Sequence, residues 1–112
     1  MELPRPIPTD LAEMIAARMR VIGDPNRIRI LDQLRDGELS VTTITERLEM
    51  TQQNASKHLG VLLGAGIVAR RKEGTTSYYR VADEGVFALC EQVCGGIQDR
   101  LSELNDMVGG AS

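Results

Sequence analysis

The run Thr51-Gln52-Gln53-Asn54-Ala55-Ser56-Lys57-His58-Leu59 gathers amides, hydroxyls and cation-bearing side chains within two turns of a helix. These are the groups that hydrogen-bond base edges and hold phosphate oxygens in a DNA major groove. Ala55, Leu59, Leu62 and Leu63 recur at i, i+4, i+7 and i+8, the spacing of a helix buried along one side. The polar residues are therefore turned mostly outward. No Asp or Glu occurs from Thr51 to Gly66, in a chain that is acidic overall. Cys90 and Cys94 form a second reactive pair, and they are the only cysteines. At i and i+4 on a helix, both sulfurs stand on one face, one turn apart. Thiolates so placed are soft ligands suited to trivalent arsenic or antimony, Cu(I), Cd or Zn. They are also open to oxidation or persulfide formation. The alternative stands beside it: free cysteine packs as a small hydrophobe. His58 is the single histidine. Neither a metal site nor a general base is built from one residue without neighbours, so His58 is read as packing or bonding near the polar face.

The elements that must position these residues follow from periodicity and caps. Residues 1–8 contain three prolines and read as a loose arm. Thr9 is expected to cap a first helix over 10–22, with Leu11, Met14, Ile15, Met19 and Ile22 in one stripe that Arg18 interrupts, and Gly23 as its stop. Asp24 followed by Pro25 is a strong start signal for a second helix. Ile28, Ile30, Leu31 and Leu34 are expected on its core side, with Asp36-Gly37 at its end. Ser40 begins a short third helix in which Val41, Ile44 and Leu48 are buried. Thr51 caps the polar helix, and Gly64 and Gly66 close it. Ile67–Lys72 and Ser77–Val81 then read as a hairpin with its turn at Glu73-Gly74-Thr75-Thr76. A last helix spans 83–107, with a seam of Val86, Cys90, Val93, Ile97, Leu101, Leu104 and Val108. That seam is longer than one small domain can cover, so with the first helix it is read as a dimer interface.

The expected fold is thus a mainly α winged helix-turn-helix, ordered α-α-α-α-β-β-α and dimeric, in one domain over 1–112. The helix-turn-helix occupies 40–66, the wing 67–82, and the dimerisation helices 10–22 and 83–107. Charge supports this division. The first fifty residues carry −2, residues 51–81 carry +4 and residues 82–112 carry −5, against −3 for the whole chain. Positive charge is concentrated where a phosphate-binding surface needs it. With Phe87, Tyr78 and Tyr79 as the only aromatics and no Trp, the core is left to aliphatic side chains, which suits packed helices. No apolar run approaches the roughly 18 residues of a membrane span. No secretion signal is read at the N-terminus, so the expected compartment is the cytoplasm.

Several stretches together resemble the ArsR/SmtB (arsenic-repressor) family of bacterial winged-helix regulators. Ile22-Gly23-Asp24-Pro25-Asn26-Arg27-Ile28-Arg29-Ile30-Leu31 resembles the family's opening signature. Gln52 through Leu59, then Leu62, Leu63, Gly66, Ile67 and Val68, resembles its recognition helix and exit. Gly74 and Tyr78-Tyr79 resemble its wing, although Thr75 stands where a basic residue is common. The resemblance covers about residues 10–107. It implies a homodimer that represses an operon until an inducer binds, on an inverted repeat of double-stranded DNA. Carried over by position, it implies that Gln52, Gln53, Asn54, Ser56, Lys57 and His58 face DNA. Gln53, Asn54 and Lys57 suit base edges; Ser56 and Thr51 suit phosphates; Arg71, Lys72, Thr75 and Thr76 suit the backbone or minor groove. The family's familiar metal ligands are absent: residues 44–49 hold no cysteine, and the last helix holds no histidine. A thiophilic ion such as As(III), Sb(III), Cd or Zn, or a thiol oxidant, is therefore expected at Cys90 and Cys94, unless those residues are structural and the inducer is of another kind or absent.

Two other function classes are weighed against this. A winged helix reduced to a protein-interaction module would not need the basic segment or the amide cluster. An enzyme with Cys90 or Cys94 as nucleophile needs a base and an orienting group, and His58 lies on another element. With no Gly-rich phosphate loop and no Ser/His/Asp set, no enzymatic activity is expected.

Overall fold

The computed structural model describes residues 2–109; Met1 of the predicted arm and residues 110–112 of the predicted domain lie outside the described residues. Residues 2–8 form neither helix nor strand. Helix α1 is Thr9–Ile22. Contrary to expectation, Thr9 is its first residue and not its cap. Pro8 occupies the cap position in extended conformation, and its carbonyl accepts from the Ala12 N–H at 3.0 Å. A proline loses nothing there, because a cap N–H has no helical partner to miss. Helix α2 is Pro25–Gln33, and the Asp24 carboxylate caps it by accepting from the N–H groups of Asn26 (2.9 Å) and Arg27 (3.2 Å). A 3-10 turn over Leu34–Asp36 follows, ended by Gly37 at φ 147.

Strand β1, Leu39–Ser40, leads into helix α3, Val41–Leu48, which the Ser40 hydroxyl caps by accepting from Thr43 N–H. Glu49 at φ 53 makes the left-handed residue of the tight turn. Helix α4 is Gln52–Gly64, capped as predicted by Thr51, whose hydroxyl accepts from Asn54 N–H at 3.1 Å. Strands β2, Val68–Glu73, and β3, Thr76–Val81, form the hairpin. Their register, Glu73 opposite Thr76, leaves Gly74-Thr75 as a two-residue turn, with Gly74 at φ 61. Glycine takes that backbone at no steric cost. Helix α5, Gly85–Gly109, begins two residues later than expected because Asp83 stands outside it, its carboxylate accepting from Gly85 N–H at 3.0 Å.

The sheet has three strands in the order β1-β3-β2, all antiparallel. Strand β1 pairs Leu39 with Tyr79 and Ser40 with Tyr78. It is absent from the expected α-α-α-α-β-β-α order because two residues are too few to show alternation. Its effect is to dock the wing to the helix-turn-helix. The core gathers Ile22, Ile30, Leu31, Leu34, Ile44, Leu48, Leu59, Leu62, Ile67, Val68, Tyr79 and Val86. Three predicted core residues differ: Val41 and Leu63 are half-buried, and Ile28 is 42% exposed. At 100° per residue, Ile28 points roughly 110° from the centre of the arc that Ile30, Leu31 and Leu34 bury. Arg27 takes the inward position instead.

Helix α5 touches this core only through its first turns: Val86 is buried, and Phe87, Leu89 and Cys90 pack against it half-buried. Beyond them Val93, Ile97, Leu101, Leu104, Met107 and Val108 are exposed. The radius of gyration is 17.7 Å, against about 13 Å for a compact chain of this length. The excess reflects a helix that runs past the body it grows from. Among the described residues no helix is long and apolar enough to cross a membrane.

Candidate nucleic-acid interface

Burial of Ala55, Leu59 and Leu62 fixes the rotation of α4, and that rotation sorts its polar residues into two exposed rows. Gln53, Asn54 and Lys57, with Thr51, line a shallow outer depression. Gln52 and Ser56, with Gly60 one turn on, line the other edge, facing the wing. Between that edge and the wing lies a polar groove of about 510 Å³, whose far wall carries Arg70, Lys72, Thr75, Thr76 and Ser77. The polar residues of the two rows surround the start of α4, where the free first-turn N–H groups and the helix dipole favour an anion.

The wing separates its basic residues by strand alternation. Arg70 and Lys72 share the face of β2 that lines the groove, and among the described residues neither has a carboxylate partner. Arg71 points the other way. Its guanidinium bonds Glu38 (Nη2 to Oε1, 2.6 Å) and Glu73 (Nη1 to Oε2, 2.8 Å), and stacks 4.6 Å over the ring of Tyr78, its cross-strand partner. The hydrogen bonds it donates to Glu38 and then Glu73 hold the Arg71 guanidinium in its charged form more firmly than usual. Reciprocally, the Arg71 hydrogen bond holds the Glu38 carboxyl below its ordinary range. Arg71, expected to suit the DNA backbone or minor groove, is placed with its charge matched within the chain, fastening the wing to the segment before β1. Arg70, not singled out from the sequence, lies beside Lys72 on the groove face of β2. Period-two alternation along 70–72 was the available signal, since it puts the first and third basic residues together and the second apart.

His58 is the second such residue. It is buried, 5% exposed, on the inner side of α4. The Arg27 guanidinium lies 3.3 Å from its Nδ1 and Arg27 Nε donates to the Val21 carbonyl at 2.6 Å. Asp24 Oδ1 is 3.9 Å from the same Nδ1. Arginine can only donate, so Nδ1 is the acceptor of this contact. Partial burial pushes the Asp24 carboxyl up, but the N–H donors of Arg27 and Asn26, with the nearby Arg27 guanidinium, bring it below its ordinary value. His58 thus stitches α4 to the start of α2 from the inner side of the helix.

Cys90 is half-buried and Cys94 exposed, and both thiols are free. They line one almost wholly apolar groove of about 430 Å³ with Met19, Ile22, Gly23, Ile28, Leu89, Val93 and Ile97. Among the described residues no three His, Cys, Asp or Glu side chains come together as a metal site. Two sulfurs on one helix face fit half of a soft-ion site, and the remaining donors would have to come from a second chain.

The family model for a helix-turn-helix domain matches residues 22–71, the span from the end of α1 to the middle of β2. The regulator KmtR of Mycobacterium tuberculosis is 34% identical over 83 residues, 74% of this chain; the chain spans 64% of that protein's length. The arsenical resistance operon repressor of Bacillus subtilis is 33% identical over 88 residues, covering 77% of this chain and 84% of the repressor. The solution structure of a homodimeric winged helix-turn-helix DNA-binding domain from Mycobacterium bovis, a fragment, superposes with a TM-score of 0.71 at 33% identity, over 84% of this chain and 87% of that one. With this agreement of sequence, element order and wing, the chain belongs to the ArsR/SmtB family of winged helix-turn-helix transcriptional regulators.

Proposed function

We propose that this protein is a homodimeric DNA-binding repressor that leaves its operator when an inducer occupies the groove holding Cys90 and Cys94. The observation that carries the DNA half is the exposed, acid-free face of α4 beside a groove walled by the unpaired cations Arg70 and Lys72. Amides on the outer row reach base edges; Gln52, Ser56, Arg70, Lys72, Thr75 and Thr76 hold the backbone that passes between helix and wing. The exposed apolar row of α5, from Val93 to Val108, supports pairing with a second copy, as in the Mycobacterium bovis relative described as homodimeric. A twofold pair of α4 helices calls for an inverted repeat with half-sites one or two helical turns apart. Such a repressor works in the cytoplasm.

Cys90 and Cys94 provide two of the thiolates that a soft ion such as As(III), Sb(III), Cd or Zn takes up, with the second copy's pair completing the set. A bound ion would supply only a crosslink between thiolates. The protein's own part is to hold both sulfurs on one face of α5, against α1 and the start of α2. A second reading keeps the cysteines as packing groups, favoured by Cys90 lying half-buried against the core. Anisotropy binding to the DNA upstream of the protein's own coding sequence separates the two, run reduced and then with arsenite, antimonite, cadmium, zinc, peroxide or persulfide. Release by one additive, abolished in Cys90→Ser and Cys94→Ser, establishes the thiol site and names its ligand. Binding that no additive disturbs returns the cysteines to the core. Failure to bind any DNA at low salt overturns the repressor reading.

A further inference from the structure

The buried histidine and the thiol groove meet at one short corner. Between Val21 and Ile28, the residues divide between two sides of the corner. Ile22, Gly23 and Ile28 line the groove that holds Cys90 and Cys94. Val21, Asp24 and Arg27 face inward: the Val21 carbonyl accepts from Arg27 Nε, Asp24 caps α2, and Arg27 reaches His58 Nδ1 on α4. The corner is tight. Gly23 donates to the Met19 carbonyl at 2.8 Å, and a Cβ at Gly23 would stand 2.9 Å from that same oxygen. A corner with no slack cannot shift on its groove side without carrying the Val21 carbonyl and the Arg27 guanidinium along.

We infer that His58 is a positioning residue for the recognition helix α4, and that the α1–α2 corner, residues 21–28, couples the Cys90/Cys94 groove to it through Arg27. Arg27 is held at two points, one on α1 and one on α4, so its guanidinium sets the distance between them. His58 follows Lys57 directly and lies one turn beyond Asn54, so its bond fixes the pitch at which that row meets DNA. The regulatory half of this inference rests on the thiol site proposed above; the positioning half stands on the Arg27–His58 geometry alone.

The test compares wild type, His58→Leu and His58→Asn by anisotropy on the upstream duplex, without and with saturating cadmium, after circular dichroism and melting have verified the fold. Leucine removes the acceptor. Asparagine restores it, because its Oδ1 sits one bond from Cγ as Nδ1 does. Without cadmium, His58→Leu is expected to bind DNA about tenfold more weakly, as for loss of one hydrogen bond to a charged donor. His58→Asn is expected to recover most of that loss. With cadmium, the ratio of affinities seen in wild type should shrink towards one in His58→Leu, while the ultraviolet thiolate-to-cadmium absorption titrates unchanged. Equal behaviour of the Leu and Asn variants overturns the positioning role. A wild-type cadmium ratio preserved in His58→Leu overturns the coupling. If wild type itself shows no cadmium ratio, coupling from cadmium in the groove to α4 is overturned, and the Leu/Asn comparison without cadmium still decides the role of His58. Should His58→Leu not fold, Arg27→Met removes the same bond from the other side and is judged on the same scale.

Discussion

Replacing Lys72 by Ala and, separately, Arg71 by Ala should have opposite signatures although the residues are neighbours in sequence. Lys72 lines the groove between α4 and the wing with no carboxylate partner among the described residues, whereas Arg71 is bound to Glu38 and Glu73 and stacked on Tyr78. Each phosphate contact to duplex DNA contributes about 0.9 to the slope of log affinity against log salt. A homodimer that loses Lys72 from both protomers should therefore lose about 1.8 of slope, and the wild-type advantage should shrink about 12-fold as salt rises fourfold, from about 50 to about 200 mM. Arg71→Ala should leave the slope unchanged, because that charge is already neutralised in the free protein and releases no counterion on binding. It should instead loosen the wing, visible as faster amide exchange in β1 and β3. Anisotropy titrations of one labelled operator at five salt concentrations measure both slopes. A slope for Arg71→Ala that falls as far as that of Lys72→Ala would refute the assignment of the two faces of β2.

Gly60→Ala should stabilise the fold by roughly 0.5–1 kcal/mol, because alanine is the better helix former and a Cβ at Gly60 meets nothing within 4 Å; a thermal midpoint that falls would contradict the open space seen there. Ile97→Asp should convert the dimer to monomer in sedimentation velocity, since Ile97 is 55% exposed in the single chain and a carboxylate cannot be buried unpaired; a persistent dimer would place the interface elsewhere. The Arg18 hydrogen bond holds the Asp83 carboxyl below its ordinary range, so the folded form binds that proton less readily than the unfolded chain. Its contribution is therefore complete above the ordinary carboxylate pKa and lost as pH falls through the lowered value, below about pH 4. Urea midpoints measured from neutral to acidic pH should show a shallower acid loss in Asp83→Asn, and identical profiles would remove the pair from the stability account.

Much of the site was legible because it depends on local rules. The apolar stripe Ala55, Leu59, Leu62 fixed which side of α4 faces out, and the Thr51 hydroxyl caps the helix where a cap was expected. Asp24-Pro25 and Ser40 likewise announced the helices that follow them, since a cap is a contact between residues two or three apart. The positive charge of 51–81 could be summed from the chain alone. Family resemblance added the element order and the recognition helix.

What the sequence could not reveal depends on partners distant along the chain. Arg71 and Lys72 are equivalent as letters; only β1, two residues long and paired to β3 across some forty positions, brings Glu38 beneath Arg71 and leaves Lys72 open. His58 sits in a run of DNA-type residues, yet the inward turn of Arg27 on α2 gives it a half-buried donor on the inner side of α4. Cys90 and Cys94 shared a helix face by spacing, but their common groove exists only because the end of α1 and the start of α2 close against α5. Periodicity reports which face a residue occupies. Which charge or ring waits opposite that face is decided when the elements pack.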